Sequence, residues 1–144
     1  MREKIVAGNW KMNNNQTQTE KLLKELKSKI KLNHVRVMVA PSFTQLSQSV
    51  NLLKGIRILV AAQNMNASNS GAYTGEISSE MLKGIGVNIV ILGHSERRTL
   101  FNETSRTLAR KVNAAIGADM EVIFCIGEAL NERLNNNHFK VVEN

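Results

Sequence analysis

The chain has 144 residues, of which 42% are hydrophobic, and a formal net charge of +7 at pH 7. This length suits one domain, and we expect residues 1–144 to form one. No apolar run approaches the ~18–20 residues that a membrane-spanning helix needs, so no membrane partner is expected. Cys125 is the only cysteine, which excludes an intrachain disulfide and favours a cytoplasmic location.

The positive charge raises nucleic acid or an anionic metabolite as partners. Aromatic residues make up only 4% of the chain, and it contains neither an RNA-binding aromatic motif nor zinc-ligand spacing. The densest basic stretch, residues 21–31, interleaves lysines with Leu22, Leu23, Leu26 and Ile30. That pattern is typical of the solvated face of an amphipathic helix, so no nucleic-acid partner is expected.

Five apolar runs of strand length recur along the chain. They cover residues 5–7, 35–40, 56–62, 89–92 and 122–126. None alternates apolar with polar residues, so the pattern predicts strands buried on both faces, as parallel sheets require.

Helical patterns lie between these runs. Residues 17–20, Thr-Gln-Thr-Glu, have the form of a capping box. They precede an apolar stripe on one helix face that comprises Leu22, Leu23, Leu26 and Ile30. A second helix is predicted after Pro41, with Leu46, Val50 and Leu53 on one face and an end at Gly55. A later stripe ends at Gly117 and comprises Leu108, Val112, Ala115 and Ile116.

The alternation of strands and helices predicts right-handed βαβ units and a parallel sheet. In such folds ligands gather at the carboxyl ends of the strands. His94 follows the fourth run directly, and Asn9 and Lys11 follow the first. The sequence therefore predicts a ligand site at this edge of the sheet.

Six motifs occur in a fixed order. They are AGNWKMN at 7–13, APS at 40–42, AQN at 62–64, GAYTGEIS at 71–78, ILGHSERR at 91–98 and CIGE at 125–128. Together they resemble the triosephosphate isomerase family over the whole chain. The resemblance implies an α/β fold, the (β/α)8 barrel, of which residues 1–144 would supply strands one to five. It also implies the interconversion of dihydroxyacetone phosphate and D-glyceraldehyde 3-phosphate in glycolysis and gluconeogenesis, with no cofactor.

The resemblance assigns roles to four residues. His94 matches the family's electrophile, which lies at the start of a short helix. The resemblance implies that this position keeps the imidazole neutral, so that it can donate a hydrogen bond to the substrate oxygen; the neutral imidazole is a known property of the family. Lys11 matches the lysine that attracts the phosphate and stabilises developing negative charge. Asn9 matches a polar neighbour that bonds to substrate or to Lys11. Glu96 matches a supporting carboxylate near Lys11 and not the base.

Two further expectations concern Cys125 and residues 71–78. Cys125 is predicted to lie inside a strand without a basic neighbour in sequence, which makes it structural and not nucleophilic. Residues 71–78 match the loop that inserts into the partner subunit of this family, so a homodimer is expected. Tyr73, Thr74 and Gly75 are its central residues.

The family's catalytic base is a glutamate after the sixth strand, and a complete barrel needs ~250 residues. The position of that glutamate is expected beyond Asn144, so we expect the 144-residue chain alone to be inactive. One alternative is a non-catalytic half-barrel that acts as an assembly partner. Another is a flavodoxin-like binding domain, although the first strand is followed by no glycine-rich phosphate loop.

Overall fold

The computed structural model describes residues 3–30 and 35–143 of the chain. Two positions named in the sequence analysis lie outside these ranges: Lys31, at the end of the predicted basic helix face, and Asn144, beyond which the base is expected. The expectation about the base therefore stays a prediction. Within the described ranges five parallel strands form one sheet: β1 (Lys4–Asn9), β2 (Val35–Ala40), β3 (Ile58–Ala62), β4 (Ile89–Leu92) and β5 (Glu121–Phe124).

Helices connect the strands. They are α1 (Gln16–Lys29), α2 (Leu46–Leu52), α3 (Ser79–Gly84), α4 (Ser95–Leu100), α5 (Ser105–Gly117), α6 (Leu130–Leu134) and α7 (His138–Glu143), with a 3-10 turn at Phe43–Gln45. No helix in the described part of the chain is long and apolar enough to span a bilayer.

The strand order is β1-β2-β3-β4-β5. This sequential order differs from the 2-1-3-4-5 order of flavodoxin-like domains, so that alternative is wrong. The sheet curls into part of a barrel with the helices between its strands, as the resemblance implied. Arg36 of β2 reaches across the curled sheet to Glu121 of β5, with Nη2 2.6 Å from Oε2.

Alternate residues of the central strands enter two separate cores, as the two-residue repeat of a strand requires. One set packs against Leu23, Leu46, Leu82 and Ala115 of the helices and comprises Val39, Val60, Ala62, Val90 and Leu92. The other set lines the opposite face and comprises Met38, Ala40, Ala61, Ile89 and Ile91. Burial on both faces is therefore confirmed for these central strands.

The same prediction is wrong for β1 and β5. Val6 is 61% exposed, Ile5 47% and Phe124 45%. Both strands lie at edges of the sheet, where each has a strand neighbour on one side only. Apolar composition reports what a strand can bury, but the number of its neighbours decides how much it does bury.

Several predicted boundaries shift. The third strand begins at Ile58, because Gly55 has a φ of +78° and the amide of Ile56 closes a turn onto the Leu53 carbonyl at 2.9 Å. The fifth spans Glu121–Phe124, not 122–126. The capping box is also misplaced by two residues: Asn15 and Gln18 form it.

The predicted end of α5 at Gly117 is confirmed, although Gly117 itself is not the left-handed residue. Gly117 is the last helical residue, and the left-handed residue that follows is Asp119, with a φ of +54°. The Met120 amide then donates to the Ala115 carbonyl at 2.9 Å. Of the predicted stripe, Leu108 and Ala115 are fully buried, whereas Ile116 is 61% exposed.

Candidate active site

The candidate site lies at the carboxyl ends of β1 and β4. Asn9 is the last residue of β1, and Lys11 follows it with a φ of +53°, a conformation that costs free energy for a residue with a Cβ. The Lys11 amide donates to Asn9 Oδ1 at 3.0 Å. This short loop therefore holds the Lys11 backbone in one conformation.

Gln63 holds the same loop from the neighbouring strand. Its Nε2 donates to the Lys11 carbonyl at 2.9 Å and to the Ala40 carbonyl at 2.7 Å. The ends of β1, β2 and β3 are thereby joined through one amide group. No role was predicted for Gln63, although a polar residue directly after an apolar run was a usable signal.

The ammonium of Lys11 is directed at α4. Its Nζ is 2.6 Å from Glu96 Oε1, so Lys11 and Glu96 come together as the resemblance implied. The hydrogen bond from Lys11 holds the pKa of the Glu96 carboxyl below its ordinary value, and the Lys11 charge adds to that effect while burial opposes it. Glu96 is therefore an ionised carboxylate engaged with a cation, which is unsuited to abstracting a proton from carbon.

His94 caps the short helix that follows β4. Its Nδ1 accepts a hydrogen bond from the Glu96 amide at 3.2 Å, and Glu96 Oε2 lies 3.5 Å from the same nitrogen. A backbone amide can donate to Nδ1 only if that nitrogen carries a lone pair, so this hydrogen bond selects the neutral tautomer with its proton on Nε2. Nε2 is then the nitrogen that could donate to a ligand.

Cys125 lies one residue beyond β5 and not inside a strand as predicted. Burial raises the pKa of its thiol, and the nearby charge of Arg98 opposes that shift. Cys125 has no basic neighbour in sequence, but the fold brings Arg98 to it from 27 residues away. The raised pKa agrees with a structural role, since a thiolate is what a nucleophile needs.

A buried ionic network lies beneath α4. Lys111 Nζ is 2.6 Å from Glu103 Oε1 and 2.9 Å from Asn64 Oδ1, and Arg97 Nε donates to the same Glu103 oxygen at 2.7 Å. Sequence reasoning missed this network. One signal was available, since Lys111 lies three residues after Leu108 and four before Ala115, on the buried face of α5.

Residues 71–78 form a loop in which residues 71–76 are exposed and Ser78 is buried as the N-cap of α3. Gly71 has a φ of +132° and Gly75 a φ of +89°, and the loop base is held by Asn66, whose amide donates to the Ile77 carbonyl at 2.8 Å. Tyr73 is 50% exposed, and Thr74 and Gly75 are exposed beside it. These three residues lie apart from the contacts of Lys11, Glu96 and His94. In the described ranges no three His, Cys, Asp or Glu side chains come together as a metal site.

Comparison with known proteins identifies the family. The profile of the family described as triosephosphate isomerase matches residues 4–144. The chain is 53% identical to the triosephosphate isomerase of Flavobacterium psychrophilum and 54% identical to that of Flavobacterium johnsoniae, each over 145 aligned residues that include 100% of this chain. It is 51% identical to that of Clostridium acetobutylicum over 94% of the chain. The chain spans 58% of the length of both Flavobacterium proteins.

Proposed function

Because the chain belongs to the triosephosphate isomerase family, we propose that it supplies the electrophile and the cation of a site that interconverts dihydroxyacetone phosphate and D-glyceraldehyde 3-phosphate. The reaction moves a proton between adjacent carbons through an enediolate. It needs a base, a donor that polarises the carbonyl group, and a cation for the phosphate and the developing charge.

His94 is proposed as the electrophile. The observation that carries this proposal is the hydrogen bond from the Glu96 amide to His94 Nδ1, which leaves the Nε2 proton available to the substrate oxygen. A donor held in place before the reaction stabilises charge without reorganisation.

Lys11 is proposed to attract the phosphate and to stabilise charge on the substrate oxygens. Its side chain is about half exposed at the edge of the sheet, and the contact of its ammonium group with Glu96 fixes the position of that group. Asn9 and Gln63 support its backbone. Asn9 is also proposed to contact the substrate, and Glu96 to orient Lys11.

The base is proposed to lie beyond Asn144, outside residues 1–144. Glu96 is the carboxylate beside His94, and its pairing with Lys11 lowers its pKa, which weakens it as a base. A proton on carbon requires a positioned base, and such groups contribute about 10²–10⁴ in rate. We therefore expect a polypeptide of residues 1–144 alone to show no turnover.

A homodimer and a cytoplasmic location complete the proposal. The loop of residues 71–78 exposes Tyr73 beside Met81, which is 57% exposed, and both line one small hollow of about 70 Å³. An exposed aromatic side chain on this loop next to an exposed methionine of α3 favours burial against a partner. The single cysteine favours a reducing compartment.

A non-catalytic assembly partner is not favoured, because the relatives that match over the whole chain are named as isomerases. The proposal is tested by joining residues 1–144 to the part of the Flavobacterium johnsoniae protein beyond the 58% that this chain covers. The joined protein should interconvert the two triose phosphates in a coupled assay.

In the joined protein, His94→Gln should lower kcat by about 10²–10³-fold, the usual scale for one preorganised donor. Lys11→Ala should raise KM and lower kcat, because the ammonium contacts both the ground state and the transition state. The exposed Lys21→Ala is the matched control and should retain activity. Equal activity of His94→Gln and the parent would mean that the electrophile is misassigned.

Turnover by a polypeptide of residues 1–144 alone that is abolished by His94→Gln would place the base within these residues. Glu96 would then be the first candidate.

A further inference from the structure

Arg98 joins the carboxyl ends of β4 and β5. Its Nε donates to the Gly93 carbonyl at 2.8 Å, and its Nη2 donates to the Cys125 carbonyl at 3.1 Å. The guanidinium carbon lies 5.6 Å from the centre of the Phe124 ring, within cation–π range. Arg98 thus adds a side-chain link between two strand ends that are already joined by the backbone hydrogen bond from the Cys125 N–H to the Leu92 carbonyl at 2.8 Å.

The space around Gly93 is closed by these contacts. Gly93 has a φ of +76°, and a Cβ added there would lie 2.9 Å from Arg98 Nη2 and 3.0 Å from the Cys125 carbonyl oxygen. Gly93 immediately precedes His94, and Arg98 lies one helical turn beyond it. The hydrogen bond from Arg98 to Gly93 therefore closes a ring that contains the His94 backbone.

The neighbouring arginine has a different environment. Arg97 pairs with Glu103 at 2.7 Å and lies over the Phe101 ring at 4.6 Å. Arg98 instead directs its donors at two backbone carbonyls. Two adjacent arginines on one short helix thus divide their contacts between the buried network and the segment that carries His94.

We propose that Arg98 is a positioning residue that fixes the His94 imidazole through the carbonyls of Gly93 and Cys125. Arg98 influences the orientation of the imidazole ring and the choice of the ring nitrogen that carries the proton. Both depend on the backbone at the start of α4, which the two hydrogen bonds of Arg98 hold in place. This inference rests on the proposed role of His94 as the electrophile.

Lysine is the informative replacement. It keeps the positive charge but offers a compact ammonium in place of the planar fork, so it cannot reproduce both carbonyl contacts in the same geometry. Arg97→Lys on the same helix is the matched control. Arg98→Ala removes both contacts, and added guanidinium ion can occupy the vacated space.

The test is ¹⁵N–¹H long-range correlation of the histidine rings in the 144-residue chain, with His94 assigned by comparison with His94→Gln. Spectra are recorded at about pH 8.5, where free histidine side chains are neutral. We expect the parent chain and Arg97→Lys to show His94 with its proton on Nε2 and well-separated nitrogen shifts. Arg98→Lys should reduce that separation as the two tautomers mix. Arg98→Ala should reduce it further, and millimolar guanidinium should restore it.

Unchanged His94 shifts in both Arg98 variants would overturn the proposal, as would equal changes in Arg97→Lys. Loss of folding in both Arg98 variants would also count against it, because the contacts would then support the whole fold and not His94 in particular. The spectra do not depend on turnover. Inactivity of the joined protein would therefore contradict the proposed function while the His94 shifts still decide the role of Arg98.

Discussion

Glu103 is one of the least exposed charged residues in the described part of the chain. It is only 8% exposed, yet Lys111 and Arg97 both donate to its Oε1. Burial alone would raise the pKa of this carboxyl, but the hydrogen bonds and charges of Lys111 and Arg97 outweigh burial and lower it. A buried charge of this kind is tolerated only while its partners remain in place.

This environment predicts a pH-dependent contribution to stability. Since the pKa of Glu103 is lower in the folded chain than in the unfolded chain, its carboxylate stabilises the fold at neutral pH. That contribution is lost as pH falls from the ordinary glutamate value of ~4.3 through the lowered pKa. Glu103→Gln should reduce the free energy of unfolding by about 3 kcal/mol at pH 7, because it leaves buried cations short of a counter-charge.

Urea unfolding followed by circular dichroism at several pH values measures this difference. The difference in the free energy of unfolding between the parent and Glu103→Gln should become smaller between about pH 5 and pH 3, because the Glu103 carboxylate of the parent becomes protonated there. The exposed Glu80→Gln is the control for loss of one carboxylate. A deficit that stays constant down to pH 3 would show that Glu103 contributes through shape and not through charge.

At the scale of elements, the start of α1 shows how a cap selects a helix boundary. Asn15 Oδ1 accepts a hydrogen bond from the backbone N–H of Gln18 at 3.0 Å, and Gln18 Oε1 accepts one from the backbone N–H of Asn15 at 2.9 Å. Thr17 and Glu20, which the sequence suggested as the capping pair, instead lie inside the helix, and Glu20 forms an ion pair with Lys24 at 2.6 Å. Both four-residue patterns satisfy the rule for a capping box, so sequence alone could not choose between them.

Two substitutions distinguish the two caps. Asn15→Ala should lower the free energy of unfolding by about 1 kcal/mol, because the backbone N–H of Gln18 loses its side-chain acceptor. Thr17→Ala should change it by less than about 0.5 kcal/mol, as for most exposed positions. Asn15→Asp keeps the acceptor and should retain the stability of the parent. Urea unfolding of the three variants measures these changes in the free energy of unfolding. A larger decrease for Thr17→Ala than for Asn15→Ala would favour the helix boundary suggested by the sequence.

At the scale of the whole molecule, the sheet has two open edges. β1 exposes Ile5 and Val6, and β5 exposes Phe124. Apolar edge strands with unpaired backbone groups promote association with other strands. The ion pair of Arg36 with Glu121 joins β2 to β5 across the curled sheet and holds the pKa of Glu121 below its ordinary value through the Arg36 hydrogen bonds.

The proposed homodimer makes a prediction at this scale. The joined protein should sediment as a dimer, and Tyr73→Asp should shift it towards monomers, because a charge would be buried at the interface without a partner. Ile116→Asp places the same charge on an exposed residue of α5 and is the matched control. Sedimentation velocity measures both. A stable and active monomer of the parent protein would contradict the dimer.

The sequence by itself predicted the order of the five strands and the helices α1, α2 and α5, because apolar runs, stripes and glycines report the local conformation of the chain. It did not predict the short helices α3, α6 and α7. It also indicated the edge of the sheet that carries Asn9, Lys11 and His94, because residues that directly follow parallel strands must lie there. Those inferences require no knowledge of which distant groups come into contact.

Only the tertiary structure decided the contacts across that edge. Gln63 binds the Lys11 carbonyl from 52 positions away, Lys111 meets Asn64 from 47, and Arg98 meets the Cys125 carbonyl from 27. It also decided that β1 and β5 stay exposed although their composition resembles that of the buried strands. Periodicity describes neighbours along the chain, whereas these contacts depend on how far the sheet curls and on which side chains its curvature brings within hydrogen-bonding distance.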